Sequence, residues 1–398
     1  MANPIPEKKK AIASAVAALA KDAHSINKEI FDNPELCYEE KRACKLVSGY
    51  LAARGFKVTT PAGGMETAFV ATHKGKGPGP RIAILAEYDA LPELGHACGH
   101  SMIAASACAA ATGIIQAAPD HPGELMVIGT PAEEGGGGKI RLIEKGVFKN
   151  VDAAIMTHPS NKTRVVARMY AIADLGFSFR GKAAHAAAFP HDGVNALDAG
   201  VVFYNAVSAL RQQIKDEARV HGIFTHGGDA PNIIPEKVEM RFYVRALDKE
   251  YFAALKRKVV ECARGAAKAA GCTVSVKERA FAYDPFYPSY PMGDAFRKNM
   301  AALGVAEDGF SETDEIGSSD IGNLSQVVPT LHPEYAIGGR DDINHSRNFL
   351  AAVMSGHGAK AMMGMAGAMA MTVYDLLADP GLMTRVATEF KGLSKKRG

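Results

Sequence analysis

The chain has 398 residues, nearly half of them apolar, and a formal net charge of only +3 from 46 basic and 43 acidic side chains. One hydrophobic core seldom organises more than about 250–300 residues, so two domains are expected. The basic residues are scattered rather than gathered in a stripe, which speaks against a nucleic-acid partner.

Residues 1–10 are basic, but the small residues 11–20 run directly into Lys21-Asp22, so no signal-peptide core is expected. Residues 8–31 place Ile12, Val16, Leu19 and Ile26 on one helical face and predict a single helix ending near Asn33-Pro34. A second helix is expected over 38–54, then a strand pair around 57–59 and 68–72, a Gly/Pro turn at 74–80 and a central strand at 81–86. The small, apolar residues 100–117 suit a helix packed tightly on a sheet. Short buried strands at 124–130 and 153–157 follow, and the alternation of strand and helix argues for a largely parallel sheet.

After about residue 163 the pattern changes to a strand at 173–180, a helix at 194–213, strands near 223 and at 238–244, a helix at 249–270 and a strand at 273–279. That β-α-β-β-α-β order is the ferredoxin-like arrangement. The last segment carries a further helix, an acidic and serine-containing stretch at 311–320, a strand ending before Pro333 and a long helix from Ser355. It is expected to rejoin the first domain, which gives a discontinuous unit, 1–163 with 280–398, around an insertion at 164–279. The membrane-like stretch at 361–378 is interrupted by Tyr374-Asp375 and reads as a buried helix, so a cytoplasmic protein with no membrane partner is expected. Six dispersed cysteines, with no dense framework in so long a chain, suit reduced thiols.

Three of the apolar strands end in residues that carry chemistry. The strand at 81–86 leads into Glu87-Tyr88-Asp89-Ala90-Leu91-Pro92 and then His96-Ala97-Cys98-Gly99-His100. The strand at 124–130 leads into Pro131-Ala132-Glu133-Glu134 and four glycines, and the strand at 153–157 ends at His158-Pro159. Carboxylates, imidazoles and a thiolate are the donors a borderline-soft divalent cation prefers. In an open α/β sheet the carboxyl ends of the strands form the edge where ligands bind. The glycine run before Lys139 fails as a phosphate loop, because Glu133 stands where the first glycine is needed and Ile140 where Ser or Thr is needed. Met362, Met363, Met365, Met369 and Met371 suit packing better than a cofactor box.

The ordered set Asp89-Ala90-Leu91-Pro92, His96-Ala97-Cys98-Gly99-His100, Glu133-Glu134-Gly135, His158-Pro159, Gly181-Lys182-Ala183-Ala184-His185-Ala186, Asn232-Ile233-Ile234-Pro235 and Asn344-His345-Ser346 resembles the M20 metallopeptidases. Within them it is most similar to the amidohydrolase branch of aminobenzoyl-glutamate hydrolases, N-acyl amino acid hydrolases and dipeptidases. The resemblance implies an α/β catalytic domain with a mixed, largely parallel sheet flanked by helices, and an inserted ferredoxin-like α+β domain that commonly mediates dimerisation. It also implies one or two divalent ions, zinc, manganese or cobalt, held by Cys98, His100, Glu134, His158 and His345.

By the same resemblance Glu133 is the general base, Asp89 supports a ligating histidine, and His185 stabilises the oxyanion from its own or a partner subunit. Asn232 is a substrate contact, whereas Arg245 suits either a substrate carboxylate or an outward strand position. Glu87 occupies a position usually acidic in this branch, and His96 is a neighbour that orients the loop or is merely structural. The implied activity is hydrolysis of the amide bond of an N-acyl amino acid, an aroyl-glutamate or a small dipeptide. Hydrolytic loss of an amino group from an amino-aromatic acid, and a non-catalytic metal- or ligand-binding relative, are the alternatives.

Overall fold

The computed structural model describes residues 6–309 and 317–395, so the part of the acidic and serine stretch at 311–316 lies outside the described residues. The first described elements are helices α1 (Glu7–Ala18), α2 (Ala20–Asp32) and α3 (Lys41–Ala52). Strands β1 (Lys57–Thr59), β2 (Phe69–Lys74) and β3 (Arg81–Ala86) precede helix α4 (His100–Ala117). Strand β4 (Glu124–Gly129), helix α5 (Gly138–Glu144), and strands β5 (Ala153–Ile155) and β6 (His158–Ser160) follow. Next come β7 (Ala171–Arg180), α6 (Ala196–Leu210), β8 (Arg219–His226), β9 (Lys237–Ala246), α7 (Lys249–Ala269) and β10 (Thr273–Glu278). The last stretch holds α8 (Tyr290–Ala302), a short α9 (Ile321–Leu324), β11 (Thr330–Leu331), β12 (Glu334–Ala336), α10 (Arg347–Val353), α11 (Gly356–Ala378) and α12 (Pro380–Lys395).

Two compact units share these elements. One comprises residues 1–168, 287–316 and 323–398; the other comprises residues 169–286 with 317–322. Bridges between Met169 and Phe286 and between Ile172 and Tyr283 carry the pairing of the second unit past residue 279.

The first unit is built on a six-stranded sheet in the order β1-β2-β4-β3-β5-β11, in which β3 is parallel to both β4 and β5 and β11 is parallel to β5. The edge pairs β1–β2 and β2–β4 are antiparallel. Strands β3 and β5 have Ile82, Ala83, Ile84, Leu85 and Ala153, Ala154, Ile155 fully buried, the continuous apolar run of strands covered on both faces. Helix α4 is buried over almost its whole length, which its Ala- and Ser-rich sequence permits because small side chains let neighbouring backbones come close. A Cβ on Gly113 would meet Val16 Cγ2 at 2.4 Å, so α1 and α4 touch there without room for any side chain.

The single helix expected over 8–31 is two. The backbone leaves helical geometry at Leu19 (φ −87°, ψ 8°), where α1 ends and α2 begins. The break lets Ile12 and Val16 in one half and Ile26 and Ile30 in the other all reach the core, and each such burial contributes roughly 1.5–3 kcal/mol. Helix α11 is long and apolar enough to cross a membrane, but most of it is buried within the unit. Met362, Met365, Met369 and Met371 are among its fully covered core residues.

The second unit is a four-stranded antiparallel sheet in the order β10-β7-β9-β8, with α6 and α7 packed on it. With β7-α6-β8-β9-α7-β10 as chain order, this is the ferredoxin-like topology. Its core joins Phe177, Phe179, Phe203 and Phe242, whose rings meet at centroid distances of 4.6 to 5.9 Å.

Candidate metal centre

Strands β4, β3 and β5 lie side by side and parallel, so their carboxyl ends open on one edge of the sheet. The connection after β3 supplies Glu87, Asp89, Cys98 and His100; the loop after β4 supplies Glu133 and Glu134; His158 follows β5. His345 arrives from the loop before α10, where its N–H donates to Ala97 O at 2.9 Å and its φ is +67°. This edge therefore gathers Cys98, His100, Glu133, Glu134, His158 and His345, residues drawn from four separate stretches of the chain.

Three groups of donor atoms each lie within 4.8 Å of one another: Cys98 with His100 and His158, Cys98 with Glu134 and His345, and His100 with Glu133 and Glu134. Cys98 Sγ is 3.7 Å from His158 Nε2, and His345 Nε2 is 3.1 Å from Glu134 Oε1. Cys98 and His100 each belong to two of these groups. The close approach depends on Gly99, whose φ of +82° favours glycine and whose Cβ would lie 2.4 Å from Pro159 Cγ.

Asp89 orders the site from behind. One oxygen lies 3.0 Å from His100 Nδ1, and the other accepts the Glu134 N–H at 2.9 Å. Fixing Nδ1 leaves His100 Nε2 facing the other donors, and that nitrogen is buried with no hydrogen-bond partner. Glu87 Oε2, 3.4 Å from it, is likewise buried without a hydrogen bond, while Glu87 Oε1 takes the Lys139 ammonium at 2.5 Å.

Electrostatics point the same way. Burial pushes the Cys98 thiol well above its ordinary range and the Glu134 carboxylate adds to the effect, so only a nearby cation would release the thiolate. Burial tends to raise Asp89, but the charge and hydrogen bond of His100, the Glu134 N–H and the Lys139 ammonium together hold the carboxyl below its usual value. Burial, then the charge of His100, brings His158 down to about 4, leaving a neutral imidazole free to donate a lone pair. Glu87, Asp89, Glu133 and Glu134 crowd around the ammonium of Lys139 and the imidazoles, and the first two are fully enclosed. An orphaned imidazole nitrogen, a thiol that needs a cation and surplus negative charge together fit a divalent metal.

The other residues singled out in the sequence belong to the second unit. His185 is exposed, and its Nδ1 accepts the N–H groups of Ala187 and Ala188 at 3.3 and 3.1 Å, which puts the ring proton on Nε2. Asn232 lies beside it, its carbonyl accepting the Ala186 N–H at 3.0 Å. Arg245 is half-buried on β9 and donates to Ser318 Oγ at 3.1 Å; among the described residues no carboxylate pairs with it. Within the first unit His96 is buried and stacks on Phe31 at a centroid distance of 6.5 Å.

Three residues at this edge carry little sign of function in the sequence. Lys139 stands out there only as the end of a failed phosphate loop, yet it is wholly buried against Glu87. His332 follows β11 and tilts against His158 at a centroid distance of 5.2 Å. Glu40 sits in the charged run Glu39-Glu40-Lys41-Arg42, which looks like a solvated face, but its side chain is buried and reaches the glutamate loop. Only the strand-end position of His332 offers a signal.

Comparison with known proteins agrees with the geometry. The family model described as peptidase family M20/M25/M40 matches residues 83–349. An Xaa-Arg dipeptidase of Mus musculus is 41% identical over 96% of this chain and 92% of its own length. A p-aminobenzoyl-glutamate hydrolase chain of Escherichia coli is 31% identical over 76% of this chain and 65% of its own length. Among solved structures, a dinuclear metal-binding M20 peptidase from Bacillus subtilis superimposes with a TM-score of 0.72 at 21% identity, covering 91% of this chain and 99% of that one. An aminobenzoyl-glutamate utilization protein from Klebsiella pneumoniae gives 0.70 at 18% identity, covering 92% and 99%. With donor atoms converging at the strand ends, a family match across most of the chain and a relative this similar over nearly its full length, the chain belongs to the M20 family of peptidases and is a hydrolase of amide bonds.

Proposed function

We propose that the protein is a metal-dependent dipeptidase whose preferred substrates are small dipeptides, with a basic residue such as arginine at the carboxyl end as the first candidates. The observation that carries the reading is the convergence of Cys98, His100, Glu133, Glu134, His158 and His345 at one edge of the sheet. The choice of a dipeptide over an aroyl-glutamate or another N-acyl amino acid is supported by identity of 41% to an Xaa-Arg dipeptidase against 31% to the aminobenzoyl-glutamate hydrolase.

Two ions are proposed, which Cys98, His100, Glu134, His158 and His345 would hold. When bound, they supply a Lewis acid for the carbonyl and lower the pKa of water toward neutrality. Asp89 holds His100 in the tautomer that presents Nε2. Glu133, at the rim of the donor set, accepts the proton of the attacking water and returns it to the leaving amine. The Nε2–H of His185 is proposed as donor to the developing oxyanion, Asn232 as a substrate contact and Arg245 as a contact of the substrate carboxylate.

A homodimer formed through the second unit is proposed as well. Strand β8 is an edge of its sheet and exposes Ile223 and Phe224, and α6 exposes Val201, Val202 and Tyr204, apolar surface that a second copy would cover.

The test is a panel of Xaa-Arg and other dipeptides, N-acyl amino acids, aminobenzoyl-glutamate and aminobenzoates, followed by mass spectrometry with a chelated control. Release of a free amino acid that stops on chelation is expected. Glu133→Gln should lose about 10²–10⁴-fold in kcat with metal content unchanged. Full activity in that variant, or hydrolysis indifferent to chelator, would overturn the mechanism.

A further inference from the structure

The loop that carries Glu133 is held in an uncommon conformation. Ala132 has a φ of +61°, a region that residues other than glycine seldom occupy without support. Part of that support is internal: Gly138 N donates to Ala132 O at 3.2 Å and Gly135 N to Glu133 O at 2.7 Å. The rest comes from the segment before α3. Glu40 Oε1 accepts the Ala132 N–H at 2.8 Å, and the Tyr38 hydroxyl donates to Gly136 O at 2.5 Å.

The same segment also touches the first site loop, since Ala90 N donates to Glu35 O at 2.8 Å and Leu36 bridges Ala90. Glu35 in turn accepts the N–H groups of Arg42 and Ala43, each at 2.9 Å, which anchors the segment on the start of α3. Residues 35–40 thus clamp both loops of the centre from one side. Glu40 is an unfavourable residue for that task unless its acceptor matters: it is fully buried, its second oxygen has no hydrogen-bond partner, and burial pushes its carboxyl up to about 7.

We propose that Glu40 is a positioning residue, which fixes the backbone of Ala132 and thereby aims the Glu133 side chain at the reacting water. The proposal rests on the reading of Glu133 as the base. It acts through the acceptor oxygen, so an amide in its place serves and an apolar side chain does not.

Glu40→Gln and Glu40→Leu, prepared as full chains and loaded with metal, test this on the best substrate of the panel. Displacing a catalytic group by about 1 Å costs on the order of 10²-fold, so kcat should fall at least about ten-fold in Glu40→Leu, with KM within about three-fold and metal content unchanged. Glu40→Gln should keep kcat within about three-fold of the parent. Unchanged kcat in Glu40→Leu, or equal damage in Glu40→Gln, overturns the proposal. Should Glu40→Leu fail to fold, Tyr38→Phe removes one hydroxyl from the same clamp: a fall in kcat at constant KM supports the proposal and unchanged kcat overturns it. Hydrogen exchange of the 132–138 amides separates this failure from that of the functional reading, because it needs no substrate. If the parent hydrolyses no amide, the functional reading falls. Faster exchange in Glu40→Leu but not in Glu40→Gln then upholds the clamp, and unaltered exchange removes it.

Discussion

Replacing Lys139 with methionine isolates the buried ion pair beneath the metal centre. Lys139 Nζ and Glu87 Oε1 are 2.5 Å apart, and both side chains are fully excluded from water. Methionine is close to lysine in length and bulk, so no sizeable cavity opens and the change is almost purely electrostatic. The carboxylate left behind stays fully buried, with its second oxygen 3.4 Å from His100 Nε2 and making no hydrogen bond. Removing one member of such a pair typically costs about 3–5 kcal/mol, whereas removing both is often nearly neutral. At about 2 °C per kcal/mol for units of this size, Lys139→Met should melt roughly 6–10 °C below the parent. The double variant Lys139→Met with Glu87→Gln should recover most of that loss. Calorimetry of chelator-treated protein is the assay, because it can resolve two units that need not unfold together. A single variant that melts within about 1 °C of the parent, or a double variant as unstable as the single, would refute the reasoning.

Gly99→Ala should strip metal from the protein and lower its melting temperature, because the new Cβ would meet Pro159 at 2.4 Å in a backbone with φ of +82°; metal content after dialysis, measured by mass spectrometry, checks it. Asp89→Asn should weaken metal binding about 10–100-fold by freeing the His100 tautomer, read by competition with a chromophoric chelator, and unchanged affinity would show that Asp89 has no such part. The stability of Glu40→Gln relative to the parent should vary with pH. The folded carboxyl titrates near 7 against an ordinary value of 4.5, so the parent loses stability as pH rises through that window and the amide does not. The variant should therefore gain up to about 3 kcal/mol on the parent between pH 4.5 and 7 and no more above it, and a flat difference in denaturant titrations would contradict this.

Much of the site was legible because its donors stand at the ends of strongly apolar runs. Residues 82–85, 125–128 and 153–155 could hardly be anything but buried strands, and they lead into Cys98 and His100, into Glu133 and Glu134, and into His158. Covalent continuity made that link, and the shared edge of a parallel sheet did the rest. The ferredoxin-like unit was legible for a similar reason, since alternation along β7 and β9 and the helical period of α7 are local patterns.

What local pattern does not encode is which residues meet across distance. Periodicity ran unbroken through Leu19, and only packing against α4 shows why the chain bends there. A run of four charged residues reads as a wetted surface, yet the fold turns Glu40 inward onto Ala132, 92 positions away. Lys139 follows four glycines like a loop tip, and its burial follows from Glu87 lying opposite it on the neighbouring strand end. The sequence by itself determined the elements, the donor types and the edge on which they open. The tertiary structure alone decided the shell around them, because hydrogen bonds and ion pairs between distant segments depend on strand order and helix placement, which no local period records.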